Sequence, residues 1–265
     1  MLGVLTSAIF TTHSSAGSGQ TGPSGRITSS LAGVAAPPDG GLRLFKGVEE
    51  DFAGSLSAGA GATGELAGMS LYKDGGSVAT VGDEPGGVLR IVTGAADNDE
   101  TSLVSGPVGQ LTPELPLTME ARLSVPASGT LFVGLRQPGA AAANLVADND
   151  ELPSEDRIGF LIVNGAAKFV CRKNGAAAVE LADLGNLAAG YHRLGFIFGR
   201  RDNSTQGLCD VFTDNKPQTA IAGSKFPAAT TPLGVLMSAA IGVKNTAAAA
   251  TTVNIDWVYA YSMMR

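Results

Sequence analysis

Arg157-Ile158-Gly159-Phe160-Leu161-Ile162-Val163-Asn164-Gly165-Ala166-Ala167-Lys168-Phe169-Val170-Cys171-Arg172-Lys173-Asn174-Gly175 decides the fold. Two short apolar runs are each followed by Asn-Gly, the dipeptide that favours the primed two-residue turns whose twist suits adjacent antiparallel strands. Residues 157 to 181 are therefore expected to form a three-stranded meander. Within it Phe160, Ile162, Phe169 and Cys171 alternate with other residues, as a strand with one buried face requires.

The same texture extends in both directions. Short apolar runs with turn residues between them predict strands at Val88 to Thr93, Ser102 to Val104, Leu117 to Val125, Leu131 to Arg136, Arg157 to Val163, Ala167 to Arg172, Ala177 to Leu181, His192 to Phe198, Gly207 to Thr213, Thr219 to Ala222, Leu233 to Gly242 and Thr251 to Tyr261. No stretch of helical period competes with them. Regularly spaced short strands are the signature of an antiparallel β-sandwich. A chain of 265 residues with 36 glycines and only 16% charged residues suits one such all-β domain.

The first 40 or so residues read differently. Ser14-Ser15-Ala16-Gly17-Ser18-Gly19-Gln20-Thr21-Gly22-Pro23 is typical of a stretch with little to bury, so residues 1–45 are expected to form an extended arm and residues 46–265 the sandwich. Ordering about 40 residues at roughly 1 kcal/mol each calls for on the order of 1,600 Å² of apolar burial. The arm's own Leu, Ile and Val do not supply that, so an ordered arm needs neighbouring chains. A second Gly- and Ala-rich stretch, Ala53 to Met69, reads equally as a long loop or a short helix.

Charge and chemistry exclude more than they suggest. The formal net charge of −6 is spread along the chain and leaves no basic face for nucleic acid or anionic lipid. No apolar run approaches the ~20 residues that span a bilayer, and Met1 to Phe10 lacks the basic residues of a signal peptide. Neither nucleic acid nor membrane is expected as a partner, and synthesis is expected in the cytosol. Cys171 and Cys209 each sit in an apolar run and read as buried free thiols. Asn203-Ser204-Thr205 reads as a turn despite its resemblance to a glycosylation acceptor.

Candidate catalytic sets are missing. Glu49-Glu50-Asp51 would send adjacent carboxylates to opposite faces of a strand. His13 and His192 stand apart and read as non-catalytic, and no Gly-x-Ser-x-Gly elbow or zinc spacing occurs. Gly17-Ser18-Gly19-Gln20-Thr21-Gly22, with Asp39 downstream, matches a dinucleotide pattern in letters, but Pro23 and Gly25 oppose the helix that a pyrophosphate needs. Ala-Asp-Asn-Asp-Glu occurs at 96–100 and again at 147–151. Such loops can hold Ca²⁺, yet neither continues as an EF-hand, and solvated acidic loops are the preferred reading. Trp257 alternates with Ile255 and Tyr259 and is expected at a partly buried sheet position. No catalytic, cofactor-binding or metal residue is assigned, and no cofactor is expected.

The meander, together with Tyr191-His192-Arg193-Leu194-Gly195-Phe196-Ile197-Phe198, Leu208-Cys209-Asp210-Val211-Phe212-Thr213-Asp214-Asn215 and Val253-Asn254-Ile255-Asp256-Trp257-Val258-Tyr259-Ala260-Tyr261, resembles concanavalin A-like jelly rolls over residues 87 to 265. That superfamily also holds glycoside hydrolases with a Glu-x-Asp-x-x-Glu strand, a pattern absent from this sequence. Gly86-Gly87-Val88-Leu89-Arg90-Ile91-Val92-Thr93, Ala96-Asp97-Asn98-Asp99-Glu100, Met119-Glu120-Ala121-Arg122-Leu123 and Leu131-Phe132-Val133-Gly134-Leu135 are similar to stretches of tailed-phage capsid cement or decoration proteins. That resemblance implies a non-enzymatic virion structural protein on the outer capsid surface of a bacteriophage. Its partners would be the major capsid protein and copies of itself, as a homo-oligomer with a trimer as the simplest guess. The alternative is a carbohydrate- or receptor-binding, lectin-like module of a virion fibre, which requires an exposed aromatic patch.

Overall fold

The computed structural model describes residues 44–50, 63–66, 69–73, 78–82, 88–139, 145–199 and 208–264. Its strands run in the order β1 (Leu44–Glu50), β2 (Thr63–Leu66), β3 (Met69–Lys73), β4 (Val78–Gly82), β5 (Val88–Val92), β6 (Glu100–Gln110), β7 (Leu117–Val125) and β8 (Thr130–Arg136). They continue as β9 (Arg157–Val163), β10 (Ala166–Arg172), β11 (Val179–Asn186), β12 (Gly190–Phe198), β13 (Cys209–Thr213), β14 (Lys216–Ile221), β15 (Leu236–Lys244) and β16 (Thr252–Met264). Among the described residues there is no α-helix.

The strands form two antiparallel sheets. The first has the order β14-β13-β12-β7-β16-β5-β4, with β1 also on β16, and the second the order β11-β10-β9-β8-β15-β6-β3-β2. β16 is long enough to serve two neighbours on one side. Thr252 to Ile255 pair with β5, and Val258 to Met264 pair with β1. The arm as far as residue 43 lies outside the described residues, as do His13, the 17–22 glycines, Asp39, Asp51 and Asn203-Ser204-Thr205.

The meander is present as β9, β10 and β11, and its alternation holds: Phe160, Ile162, Phe169 and Cys171 all enter the core between the sheets. Phe160, Phe169 and Phe196 meet there edge-on or tilted, with ring centroids 5.1–6.3 Å apart, the offset arrangement that ring quadrupoles favour. Phe196 of β12 comes from the first sheet, as do Leu117, Met119, Ala121 and Leu123 of β7 and Val253, Ile255, Val258 and Ala260 of β16, which belong to the same core. A bulge between Ile255 and Trp257 shifts the phase of β16 partway along.

The two Asn-Gly turns differ. Asn164 and Gly165 both have positive φ, 49° and 86°, as a primed turn demands. At Asn174-Gly175 only Gly175 does, at 78°, and Ala176 N–H donates to Lys173 C=O at 2.9 Å. This corrects the primed turn expected there. The connection 173–178 is longer than two residues, so the hairpin closes through a turn of type II character, with glycine at its third position.

Strand lengths also depart from expectation. β6 continues past the expected Val104 to Gln110, through Pro107, because the β6–β15 register shifts where Ser238 faces that proline. A proline lacks the N–H of a regular ladder and is tolerated at such an irregularity. Of the stretch Ala53 to Met69, residues 63–66 form a strand paired to β3, and neither a loop nor a helix. Composition hid it, because β2 and β3 owe their order to pairing in the second sheet, where Met69 and Leu71 reach the core.

A second, smaller core lies on the outer side of the second sheet. Residues 145–156 cross that face as a strap, and Leu145, Val146 and Leu152 pack on Val104, Phe132, Leu161, Val170 and Ala240. Gly242 receives the strap. A Cβ there would lie 2.7 Å from Leu145 Cδ1 and 2.8 Å from Leu145 Cβ, so any side chain would push the strap away.

Candidate functional site

Alternation along β7 sends Thr118, Glu120 and Arg122 to the outer face of the first sheet, opposite the core residues between them. The register places Trp257 beside Arg122, Tyr259 beside Glu120 and Tyr261 beside Thr118. On the other flank Arg193 pairs with Arg122, and Gly195 with Glu120. The result is an aromatic row along β16 bordered by charges. Trp257 and Tyr259 have centroids 4.7 Å apart, and Tyr259 and Tyr261 stack at 6.2 Å.

The charges on this face are paired. Arg193 donates to Glu120 at 2.7 Å while its guanidinium lies 5.2 Å from the Trp257 ring centre. Arg122 binds Asp256, and its guanidinium lies 4.7 Å from the Tyr191 ring centre. Glu120 is 2% exposed, Tyr259 1% and Trp257 5%. The burial of Trp257 goes further than the partial burial expected from its alternation. A retaining glycosidase needs two carboxyls roughly 5 Å apart. Along the outward positions of β7 only Glu120 carries one, and its partner is an arginine.

The outer face of the second sheet gathers the strongest buried charges. Glu100, the first residue of β6, stands opposite Lys244 of β15. It accepts from the backbone N–H groups of Leu145 and of Val146, the latter at 3.2 Å. Lys244 donates to Val146 C=O at 3.1 Å and to the Asp148 carboxylate. Arg157 reaches Leu145 C=O and Glu155, Arg136 shares Glu155 at 3.4 Å, and Arg172 reaches Leu152 C=O. The contacts to Leu145 N–H and C=O, Val146 N–H and C=O and Leu152 C=O satisfy backbone groups of the strap, while Asp148 and Glu155 pair with the cations by their carboxylates. Burial pushes the Glu100 carboxyl above its usual value, against the opposing pull of the two N–H donors, Lys244 and Arg157.

The residues weighed from sequence fall into place around these faces. The acidic repeats lie at the two sides of the Lys244-Asn245 end of β15. Asn245 Nδ2 donates to Ala96 C=O at 2.6 Å, and Lys244 touches Asp148. Asp99 accepts from Ala96 N–H at 3.0 Å and Asp150 from Thr130 Oγ1, so these carboxylates serve loop closure. Among the described residues no three His, Cys, Asp or Glu side chains converge as a metal site. His192 braces a hairpin end, with Nδ1 2.9 Å from Asp214 and Nε2 2.9 Å from Ala188 C=O. Cys171 and Cys209 are buried free thiols on opposite sheets. Burial pushes Cys171 up to about 11 and Cys209 well above the usual thiol value. Glu49 and Glu50 stand opposite Tyr259 and Val258, register positions that alternate between faces.

Sequence reasoning missed two separate sets, Glu120 with Arg193 on the first sheet and the strap charges on the second. The available signal was a charged residue at alternate positions within an otherwise apolar strand, as in Met119-Glu120-Ala121-Arg122.

No protein-family model matches the chain, and no curated protein matches it. Solved structures do. Peanut lectin aligns at 12% identity over 84% of this chain and 99% of its own, with a TM-score of 0.52. An endo-1,3-β-glucanase from Streptomyces sioyaensis aligns at 16% identity over 87% and 99%, with a TM-score of 0.51. The fold is a concanavalin A-like jelly roll. A protein of unknown function from Shewanella oneidensis is also similar, at 16% identity over 94% of this chain and 97% of that one, with a TM-score of 0.50. One architecture carries a lectin and a glucanase, so the jelly roll by itself does not decide between binding and catalysis.

Proposed function

We propose that this protein is a non-catalytic virion structural subunit, a cement or decoration protein on the outer surface of a phage head. It would pack against the major capsid protein and against further copies of itself. The observation that carries the non-catalytic part is the occupation of both sheet faces. On the first, Glu120, Trp257 and Tyr259 are buried and Glu120 is neutralised by Arg193; on the second, the strap seals Phe132 and Ala240. A jelly roll so covered offers loops and strand edges as its contact surfaces, which suits a subunit that works by packing. The capsid part rests on the sequence likeness of residues 86–93, 96–100, 119–123 and 131–135 to decoration proteins.

The test is binding to expanded phage shells that lack the protein. Saturable co-sedimentation with such shells, at a stoichiometry set by capsid symmetry, is the expected result. Absence of binding under conditions where the subunit stays folded would overturn the reading. Sedimentation of the free protein would then give its oligomeric number, with a trimer as the first arrangement to examine.

One observation favours the lectin-like alternative. The Trp257–Tyr259–Tyr261 row is the kind of aromatic platform on which sugar rings stack, and peanut lectin shares the architecture. The burial of Trp257 weighs against it. A glycan-array signal abolished by Tyr261→Ala would bring the alternative forward.

A further inference from the structure

The meander carries one reactive dipeptide twice, in unlike surroundings. At Asn164-Gly165 the side chain is tied down: Asn164 Oδ1 accepts from Gly129 N–H at 2.9 Å. The backbone around it is held as well, Asn164 N–H donating to Gly129 C=O at 3.0 Å and Leu187 N–H to Gly165 C=O at 2.9 Å. At Asn174-Gly175 only main-chain N–H groups are held, that of Asn174 by Asp156 Oδ1 at 3.0 Å and that of Gly175 by Ser154 Oγ at 3.2 Å. Asn174 is exposed, and among the described residues its carboxamide has no hydrogen-bond partner.

We propose that Asn174 is a site of spontaneous deamidation and that the fold protects Asn164 from the same reaction. The Gly175 backbone nitrogen gives up its proton to a solvent base and attacks Asn174 Cγ. The new N–Cγ bond closes a five-membered succinimide as the Cγ–Nδ2 bond breaks, and ammonia leaves with a proton from solvent. Water then opens the ring at either carbonyl, giving aspartate or isoaspartate. Glycine is the least obstructive following residue, and the space where a Cβ of Gly175 would stand is empty to 4 Å. At position 164 the attack would require the carboxamide to turn away from Gly129 first.

Ser154 is a positioning residue here, because its hydroxyl holds the N–H that must be lost. The product alters its surroundings in a specific way. A new carboxylate appears beside the buried Asp156, and an isoaspartate adds a backbone carbon to the turn that Lys173 C=O and Ala176 N–H close at 2.9 Å. The β10–β11 hairpin end and the strap residues Ser154 and Asp156 that rest on it would loosen together.

The experiment is incubation of the folded full-length chain in mildly alkaline buffer at physiological temperature, with peptide mass spectrometry at intervals. The Asn174 peptide is expected to gain one mass unit and split into two chromatographic forms, severalfold faster than the Asn164 peptide changes. In denaturant the two should convert at similar rates, which assigns the difference to the fold. Equal rates in the folded chain, or conversion of Asn164 ahead of Asn174, would overturn the proposal. Ser154→Ala should raise the Asn174 rate severalfold without moving Asn164; an unchanged or lower rate would overturn the role of Ser154.

Discussion

Glu100 illustrates how much one side chain carries. Its carboxylate receives two strap N–H groups while facing Lys244 and Arg157, and it is 2% exposed. Glu100→Ala removes the acceptor of both and leaves two buried cations short of an anion. A loss of about 3 kcal/mol in urea denaturation is expected, in the range found when one partner of a buried pair is removed. The pH dependence has a definite sign. With the folded value raised, the folded chain holds this proton more tightly than the unfolded one. The carboxyl's contribution is full below its ordinary value and is lost as pH rises through the raised one. Glu100→Gln keeps the shape and removes the charge, so its stability relative to the parent should improve as pH rises from acidic to neutral. The buried thiols give a simpler readout. With burial pushing Cys171 up to about 11 and Cys209 well above the usual thiol value, neither should react with a thiol reagent at neutral pH until the chain is unfolded.

At the scale of elements, the strap is the part most open to a decisive change. Gly242→Ala would place a methyl against Leu145 Cβ and Cδ1, both closer than 3 Å, and should cost about 1–3 kcal/mol through overpacking. Proteolysis within 145–156 should accelerate in that variant while the inter-sheet core stays protected. The strap was not legible beforehand. Its hold comes from Glu100, Lys244, Arg157, Arg136 and Arg172, which lie far apart in the chain and meet only once the second sheet is assembled. By contrast β7 and β9 were read with their observed ends, because Leu117 to Val125 alternates in phase and Arg157 to Val163 abuts an Asn-Gly turn. β1 to β4 went unread, since their short runs are diluted by Gly and Ala and lie at the margins: β2 and β4 end the two strand orders, and β1 is held by β16 from the far end of the chain. The aromatic row was half visible: Ile255, Trp257 and Tyr259 look like one alternating face. The bulge after Ile255 instead sends Trp257 and Tyr259 outward while Ile255 stays in the core.

For the whole molecule, the informative change is removal of residues 1–40. The first described strand begins at Leu44, so the truncated chain keeps every described strand of both sheets. Its melting temperature should change little, whereas affinity for shells lacking the protein should fall if the leading segment is the anchor. Full retention of shell binding would move the anchor to the loops and edges of the jelly roll.

The seam between β1 and β16 sets a further condition on how this chain can be cut and rejoined. Leu44 is the ladder partner of Met264, and the two strands run in opposite directions. Backbone positions so matched lie about 5 Å apart, within reach of a two-residue hairpin loop. The stretch from 44 to 264 is therefore a near-closed ring, whose reading frame could be reopened at a surface turn such as 164–165 while every pairing is conserved.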